Sequence, residues 1–242
     1  MRKLYYDEEF SERIGVFKDR WDAGIKLSKL LEEALEDIGV EIGDTVILAI
    51  PSGGIPVCYS MCKRIGVKFD LIIVRKIPHP LNTEMGIGAM GPDGEWFIED
   101  WILRNLPREL IDELVENVRK VIGERESLFR SGRPYPDLNG RKVILVDDGI
   151  AAGYTMMAAG GFTRRKGAEM IISAVPTACL SSARRLLESG VVDMVVSPNI
   201  RSFIPFAVAD AYRTWYDVPR SEVLLILENA RREGLFDAEE QS

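Results

Sequence analysis

The sequence predicts an α/β protein built on a doubly wound parallel sheet of about five strands. Two observations predict it. Short apolar runs without polar interruption, Val143-Ile-Leu-Val146 foremost, have the habit of strands buried on both faces. These runs alternate with helical segments, and right-handed crossovers lay strands so connected parallel to one another. A chain of 242 residues, 46% of them hydrophobic, can bury a substantial core and is read as one domain with appendages.

The elements follow in order. Lys18 to Ile38 is an amphipathic helix, with Trp21, Ile25, Leu27, Leu30, Leu31, Ala34, Leu35 and Ile38 at helical spacing and Gly39 as its stop. Thr45 to Ile50 reads as a buried strand, Ile55 to Ile65 as the helix after it, and Leu71 to Val74 as the next strand. The stretch from Arg75 to Asp100 is rich in Gly and Pro and predicts a hairpin or mobile loop, not a helix. Pro107 to Phe129 is helical, Pro107 suiting the first turn. The Val143–Val146 strand, a helix from Thr155 to Lys166, a strand from Met170 to Ala174, a helix from Ser181 to Ser189 and a short strand from Met194 to Ser197 complete the series. The core is placed at about 15–200, and the tail at 235–242 is expected to be disordered. There is no internal repeat or low-complexity tract.

Composition narrows the function classes. A formal charge of −7 with no compensating basic run argues against a nucleic-acid surface, so any anionic ligand must be met locally. Three cysteines, at 58, 62 and 179, do not form a disulfide framework. Cys58 and Cys62 lie one helical turn apart and read as packing, because a single histidine, His79, leaves too few ligands for zinc. Neither a signal peptide nor a long apolar span is evident, so the expected location is the cytoplasm, with no membrane partner.

The chemistry gathers at strand ends. Asp147 and Asp148 follow the apolar run at its carboxyl edge, where open α/β sheets bind ligands. The loop Gly149-Ile150-Ala151-Ala152-Gly153-Tyr154-Thr155 then enters a helix. Its glycines let the backbone approach an anion, its amides and the helix dipole favour negative charge, and Thr155 adds a hydroxyl. Without Gly-Lys-Ser/Thr it is no P-loop, and acids that precede the glycines do not match a dinucleotide fingerprint. The alternative is that the acids merely open a turn and cap the next helix. A second candidate cradle, Ser52-Gly53-Gly54, also lies between a strand and a helix, and two cradles at one edge suit a doubly phosphorylated ligand. Arg75-Lys76 is placed where the next strand ends. It reads either as a solvated basic strand end or as a pair that neutralises a phosphate leaving group.

Two apolar-anchored acids, four variable positions, then Gly-x-Thr resembles the phosphoribosyl-diphosphate (PRPP) motif of type I phosphoribosyltransferases. Softer matches at 17–24, 75–76, 84–91 and 206–212 resemble stand-alone phosphoribosyltransferase-like proteins of bacteria and archaea, so that the likeness covers most of 15–217. The resemblance implies that Asp147 and Asp148 hold the ribose hydroxyls, with Mg²⁺ nearby through those hydroxyls or water, and that residues 149–155 hold the 5′-phosphate. It implies that Ser52, Gly53 and Gly54 hold pyrophosphate, with the Pro51–Ser52 peptide bond non-proline cis or otherwise strained. It further implies a flexible loop over 77–91 that keeps water from the sugar cation, and a hood at about 197–217, joined by the N-terminal segment, that chooses the base. Phe203, Phe206 and Tyr212, with Trp215 close by, have the composition to sandwich that base.

The implied activity is transfer of a phosphoribosyl group from PRPP to a nitrogenous base in a Mg²⁺-dependent homodimer. Arg75, Lys76 and Glu84 would join the acids in catalysis, Glu84 as proton acceptor. The chain departs from the family pattern in four places. Ser52 replaces a common arginine, Ala151 replaces the acid of 6-oxopurine enzymes, Ala152 replaces a usual threonine, and Tyr154 is large for its place. Three of these, Ser52, Ala151 and Ala152, favour the alternative of a PRPP- or nucleotide-binding regulator without turnover.

Overall fold

The computed structural model describes residues 3–236, apart from the side chains of residues 83 and 84. In chain order the elements are β1 (Lys3–Tyr5), α1 (Arg20–Glu36), β2 (Thr45–Ala49), α2 (Gly54–Ile65), β3 (Asp70–Leu71), β4 (Arg75–His79), β5 (Asn82–Met90), β6 (Trp96–Ile98), α3 (Asp100–Asn105) and α4 (Arg108–Arg125). They continue with β7 (Lys142–Val146), α5 (Tyr154–Arg165), β8 (Met170–Ala174), β9 (Thr177–Cys179), α6 (Leu180–Ser189), β10 (Met194–Val196), β11 (Asn199–Arg201) and α7 (Arg220–Arg232). The central sheet is parallel throughout, in the order β1-β10-β8-β7-β2-β3. It has six strands, not about five. The addition is β1, three half-buried residues at the sheet edge with no apolar run to announce them.

Alternation along the strands divides the apolar side chains between two cores. In β7, Ile144 and Val146 face a layer built with Leu27 and Leu31 of α1, Ile55 of α2, Val115 of α4 and Ile226 of α7. Val143 and Leu145 face Met156 and Phe162 of α5 and Leu186 of α6. A strand with both faces covered must be apolar throughout, which is why its run was legible. Cys58 and Cys62 are fully buried in the first core with their sulfurs 3.8 Å apart, as packing residues.

α1 carries a side chain to the functional edge, so its start matters. Asp19 caps it by accepting from the amides of Trp21 (3.0 Å) and Asp22 (2.9 Å). Asp19→Ala is expected to cost about 1 kcal/mol, measured by denaturant unfolding. A midpoint equal to that of the wild type would show that the cap does not hold the helix start.

Several expectations are corrected. The strand predicted at Leu71–Val74 stops at Leu71. Ile72, Ile73 and Val74 stay buried, but the Ile73 amide turns to the Tyr135 hydroxyl (3.1 Å). Arg75-Lys76 therefore opens β4 and does not end a strand, because burial continues past the point where the ladder stops. The excursion that follows is a hairpin, a three-stranded antiparallel sheet β4-β5-β6. Pro107 precedes α4 as its cap residue instead of standing in the first turn. α7 is an addition to the expected elements, burying Val223, Ile226, Leu227 and Ala230, which recur at helical spacing. Of the tail expected to be disordered from 235, Phe236 is 2% exposed and packs on the Phe69 ring at 5.4 Å, while residues 237–242 lie outside the described residues. Among the described residues no helix is long and apolar enough to cross a membrane.

Candidate functional site

β2 and β7 are neighbours, and from them the chain departs in opposite directions, to β3 on one side and β8 on the other. Their following helices, α2 and α5, cover opposite faces. The crevice between two such strand ends is where open α/β sheets bind ligands. Both candidate loops leave from it, and they touch. A Cβ on Gly53 would lie 1.9 Å from Asp148 Oδ2, and one on Gly54 would lie 2.6 Å from the Val146 carbonyl oxygen. The Gly-Gly pair is therefore required to let the 52–54 loop lie against the acids. The Pro51–Ser52 peptide bond is cis, as expected.

Asp148 is held by Arg20, whose Nε donates to Oδ2 at 2.9 Å, with side-chain exposures of 17% and 6%. The same guanidinium donates to the Tyr216 carbonyl (2.8 Å) and stacks 3.8 Å from the centre of the Trp215 ring. Asp147 accepts the Asp148 amide (2.8 Å) and has no cation in contact among the described residues. Burial first, then the Asp148 charge, pushes the Asp147 carboxyl well above the usual carboxylate range. Burial raises Asp148 too, against the opposing pull of Arg20. Arg20, 128 residues away, carried no site signal of its own in the sequence.

The 149–155 loop is anchored at one point and open at others. The Ile150 amide donates to the Thr177 carbonyl (2.9 Å), and the Cys179 amide donates to the Ile150 carbonyl (2.8 Å). Ile150, read in the sequence as part of the cradle, thus holds the loop to β9 and offers no donor. Gly153 has φ +81°, and α5 begins after it without a side-chain cap. Among the described residues, the amides of Ala151 to Thr155 have no internal acceptor. The carbonyl side is tied instead, since Arg185 of α6 donates to the Ala152 oxygen and also to Glu99 (3.3 Å). Tyr154, large for its place, rests against Phe97 at 5.8 Å and against Gly86, joining this loop to the hairpin.

In the other cradle the Gly54 amide donates to the Ile50 carbonyl (3.0 Å), a second correction to the expected donor set. The amides of Ser52 and Gly53 remain without an internal acceptor among the described residues. Arg75 and Lys76 sit at the root of the hairpin, lining a groove against Val118 and Val121 of α4. The Glu84 side chain lies outside the described residues.

The hood aromatics divide. Tyr212 is 6% exposed and donates to the Asp148 carbonyl (2.5 Å), so it braces the acidic loop and has no open face for a base. Phe206 stacks on the buried Arg201 guanidinium at 4.3 Å, with Phe203 on it at 5.4 Å. Trp215, 37% exposed, keeps a surface open beside Arg20.

Among the described residues no group of three or more His, Cys, Asp or Glu side chains is placed to hold a metal. Mg²⁺ needs fewer, since it is bound by one or two carboxylates with water and substrate oxygens completing its shell. Two adjacent buried carboxylates, the charge of Asp148 raising the proton affinity of Asp147, fit such a cation.

A family model for the phosphoribosyl transferase domain matches residues 19–211. The chain belongs to the phosphoribosyl transferase family. A curated protein of Mycobacterium tuberculosis, named "Putative phosphoribosyl transferase Rv0571c", is 33% identical over 229 residues, covering 92% of this chain and 50% of the relative. The chain thus spans about half the length of that relative. The crystal structure of TT1426 from Thermus thermophilus superposes with a TM-score of 0.68 at 32% identity, covering 88% of this chain and 98% of that one. The matched residues take in both loops at the switch point, the acid pair and Arg20.

Proposed function

We propose that the protein transfers a 5-phosphoribosyl group from PRPP to a nitrogenous base and releases pyrophosphate. The observation that carries this reading is the run of unpaired amides from Ala151 to Thr155, beside the Asp147–Asp148 carboxylates and one loop away from the unpaired amides of Ser52 and Gly53. A ligand bearing phosphate at one end, pyrophosphate at the other and hydroxyls between would satisfy all three. Thr155 adds its hydroxyl to the 5′-phosphate amides, and the carboxylates take the ribose hydroxyls, fixing the sugar for attack at C1. Arg20 keeps Asp148 in place. The β4-β5-β6 hairpin, linked to the phosphate loop through Tyr154, would exclude water from the sugar cation, with Glu84 as the candidate proton acceptor. Mg²⁺, held by Asp147 and Asp148 through the ribose hydroxyls or water, would supply charge neutralisation of the departing pyrophosphate when bound. Trp215 and Phe203 are the hood surfaces left for a base. The reading takes the protein to be a cytoplasmic homodimer.

Ser52, Ala151 and Ala152 favour a second reading, a PRPP- or nucleotide-binding regulator that does not turn over. One assay separates them. The protein is incubated with PRPP, Mg²⁺ and a panel of purine and pyrimidine bases, and pyrophosphate is followed. Base-dependent release is expected. Tight PRPP binding with no release would establish the regulator, and release without any base would establish a hydrolase.

A further inference from the structure

The pyrophosphate loop offers two open amides and, with Ser52, no cation of its own. A cavity of about 740 Å³ opens beside Ser52, between the end of α4 and the start of α7, and Glu124, Arg125 and Arg220 line it. A smaller cavity of about 280 Å³, lined by Arg75 and Lys76, adjoins it and shares Val121 as a wall. Charge is therefore brought to the cavity at Ser52 from α4 and α7, with Arg75 and Lys76 of β4 in the cavity beside it, and among the described residues Glu124 is the one acid on these linings. Arg125 is half buried, and its pKa is lowered first by burial and then by the charge of Arg75. Among the described residues neither Arg125 nor Arg75 has a carboxylate or carbonyl partner. Two guanidiniums kept near one another without a counter-ion repel, and an anion between them relieves that cost.

Resting on the PRPP reading above, we propose that Arg125, together with Arg75, holds the pyrophosphate of PRPP and supplies from α4 the charge that Ser52 does not. A planar guanidinium presents paired donors to phosphate oxygens, and an arginine reaching in from the helix makes the charge-assisted hydrogen bond that a serine at position 52 cannot make. Arg125 is a binding residue in this role, outside the acid pair and the phosphate loop.

Titration calorimetry with Mg²⁺ present, on wild type, Arg125→Gln, Arg125→Lys and Arg75→Gln, tests it with three ligands: PRPP, inorganic pyrophosphate and ribose 5-phosphate. The expected result for Arg125→Gln is at least tenfold weaker binding of PRPP and pyrophosphate with ribose 5-phosphate unchanged, partial recovery in Arg125→Lys, and a parallel loss in Arg75→Gln. Pyrophosphate affinity within twofold of wild type in Arg125→Gln overturns the inference while leaving the PRPP reading standing. Equal loss of all three ligands overturns it as well, since it marks a general disturbance. Wild-type protein that binds none of the three overturns both. Should Arg125→Gln fail to fold, Arg125→Lys and Arg75→Gln decide the matter on the same criteria.

Discussion

Asp147→Asn is expected to raise the melting temperature of the ligand-free protein at pH 8 while lowering PRPP-dependent pyrophosphate release by about a hundredfold or more. The two effects share one cause. In the folded protein the Asp147 carboxyl is pushed up by burial and by Asp148, whereas in the unfolded chain it titrates near the usual value of about 3.9. A group whose folded pKa lies above its unfolded one is penalised when ionised. Its contribution is most favourable at acid pH and is lost as pH rises from the unfolded pKa through the folded one. Asparagine removes that penalty and can still accept the Asp148 amide, so about 1 kcal/mol of gain would appear as roughly 2–4 °C. The same change removes a charge that positions the sugar, and misplacement of about 1 Å at a reacting centre costs on the order of a hundredfold. Melting curves from about pH 5 to 8.5 and the release assay read both effects. A variant that melts below wild type at pH 8, or whose pH profile runs parallel to it, would refute the proposed electrostatic conflict.

That conflict bears on how much of the molecule was legible in the sequence. Strands buried on both faces are mostly apolar, so β2, β7 and β8 stand out, with Ser173 the one polar residue buried in β8, and the loops after β2 and β7 are readable because glycines and acids follow the apolar runs directly. The edge strand β1 buries little and left no signature. The role of Arg20 depends on a fold that brings position 20 to position 148, and nothing local to Asp-Arg-Trp reports it. Backbone donors pose a subtler problem. Gly54 and Ile150 belong to the candidate loops, but their amides are spent on Ile50 and Thr177. Residue type can predict a cradle without revealing which of its amides are already paired. Tyr212 presents the opposite case: its aromatic character suggests a stacking face, whereas its hydroxyl braces the Asp148 carbonyl.

The loop after β7 gives the sharpest test, because its geometry separates the fold from the ligand. Gly153 has φ +81°, yet a Cβ there would meet nothing closer than 3.5 Å, from Ile150 and Leu186. Gly153→Val therefore introduces a Cβ that meets only ordinary van der Waals contacts within the protein. It adds backbone strain of roughly 1–2 kcal/mol and places a branched side chain at the unpaired amides. Gly39 supplies the control, with φ +65° after α1 and nothing within 4 Å of a Cβ. Gly39→Val should carry comparable strain far from the loop. Both variants are expected to lose similar stability, but only Gly153→Val should lose affinity for ribose 5-phosphate and PRPP, by about a hundredfold or more. Pyrophosphate alone should bind Gly153→Val nearly as well as wild type, because its donors lie on the other loop. Calorimetric titration of both variants with the three ligands distinguishes loss of a phosphate site from loss of the fold. If Gly153→Val keeps its affinity for ribose 5-phosphate, the unpaired amides of 151–155 do not hold the 5′-phosphate, and the assignment of that phosphate to the switch point between β2 and β7 fails with them.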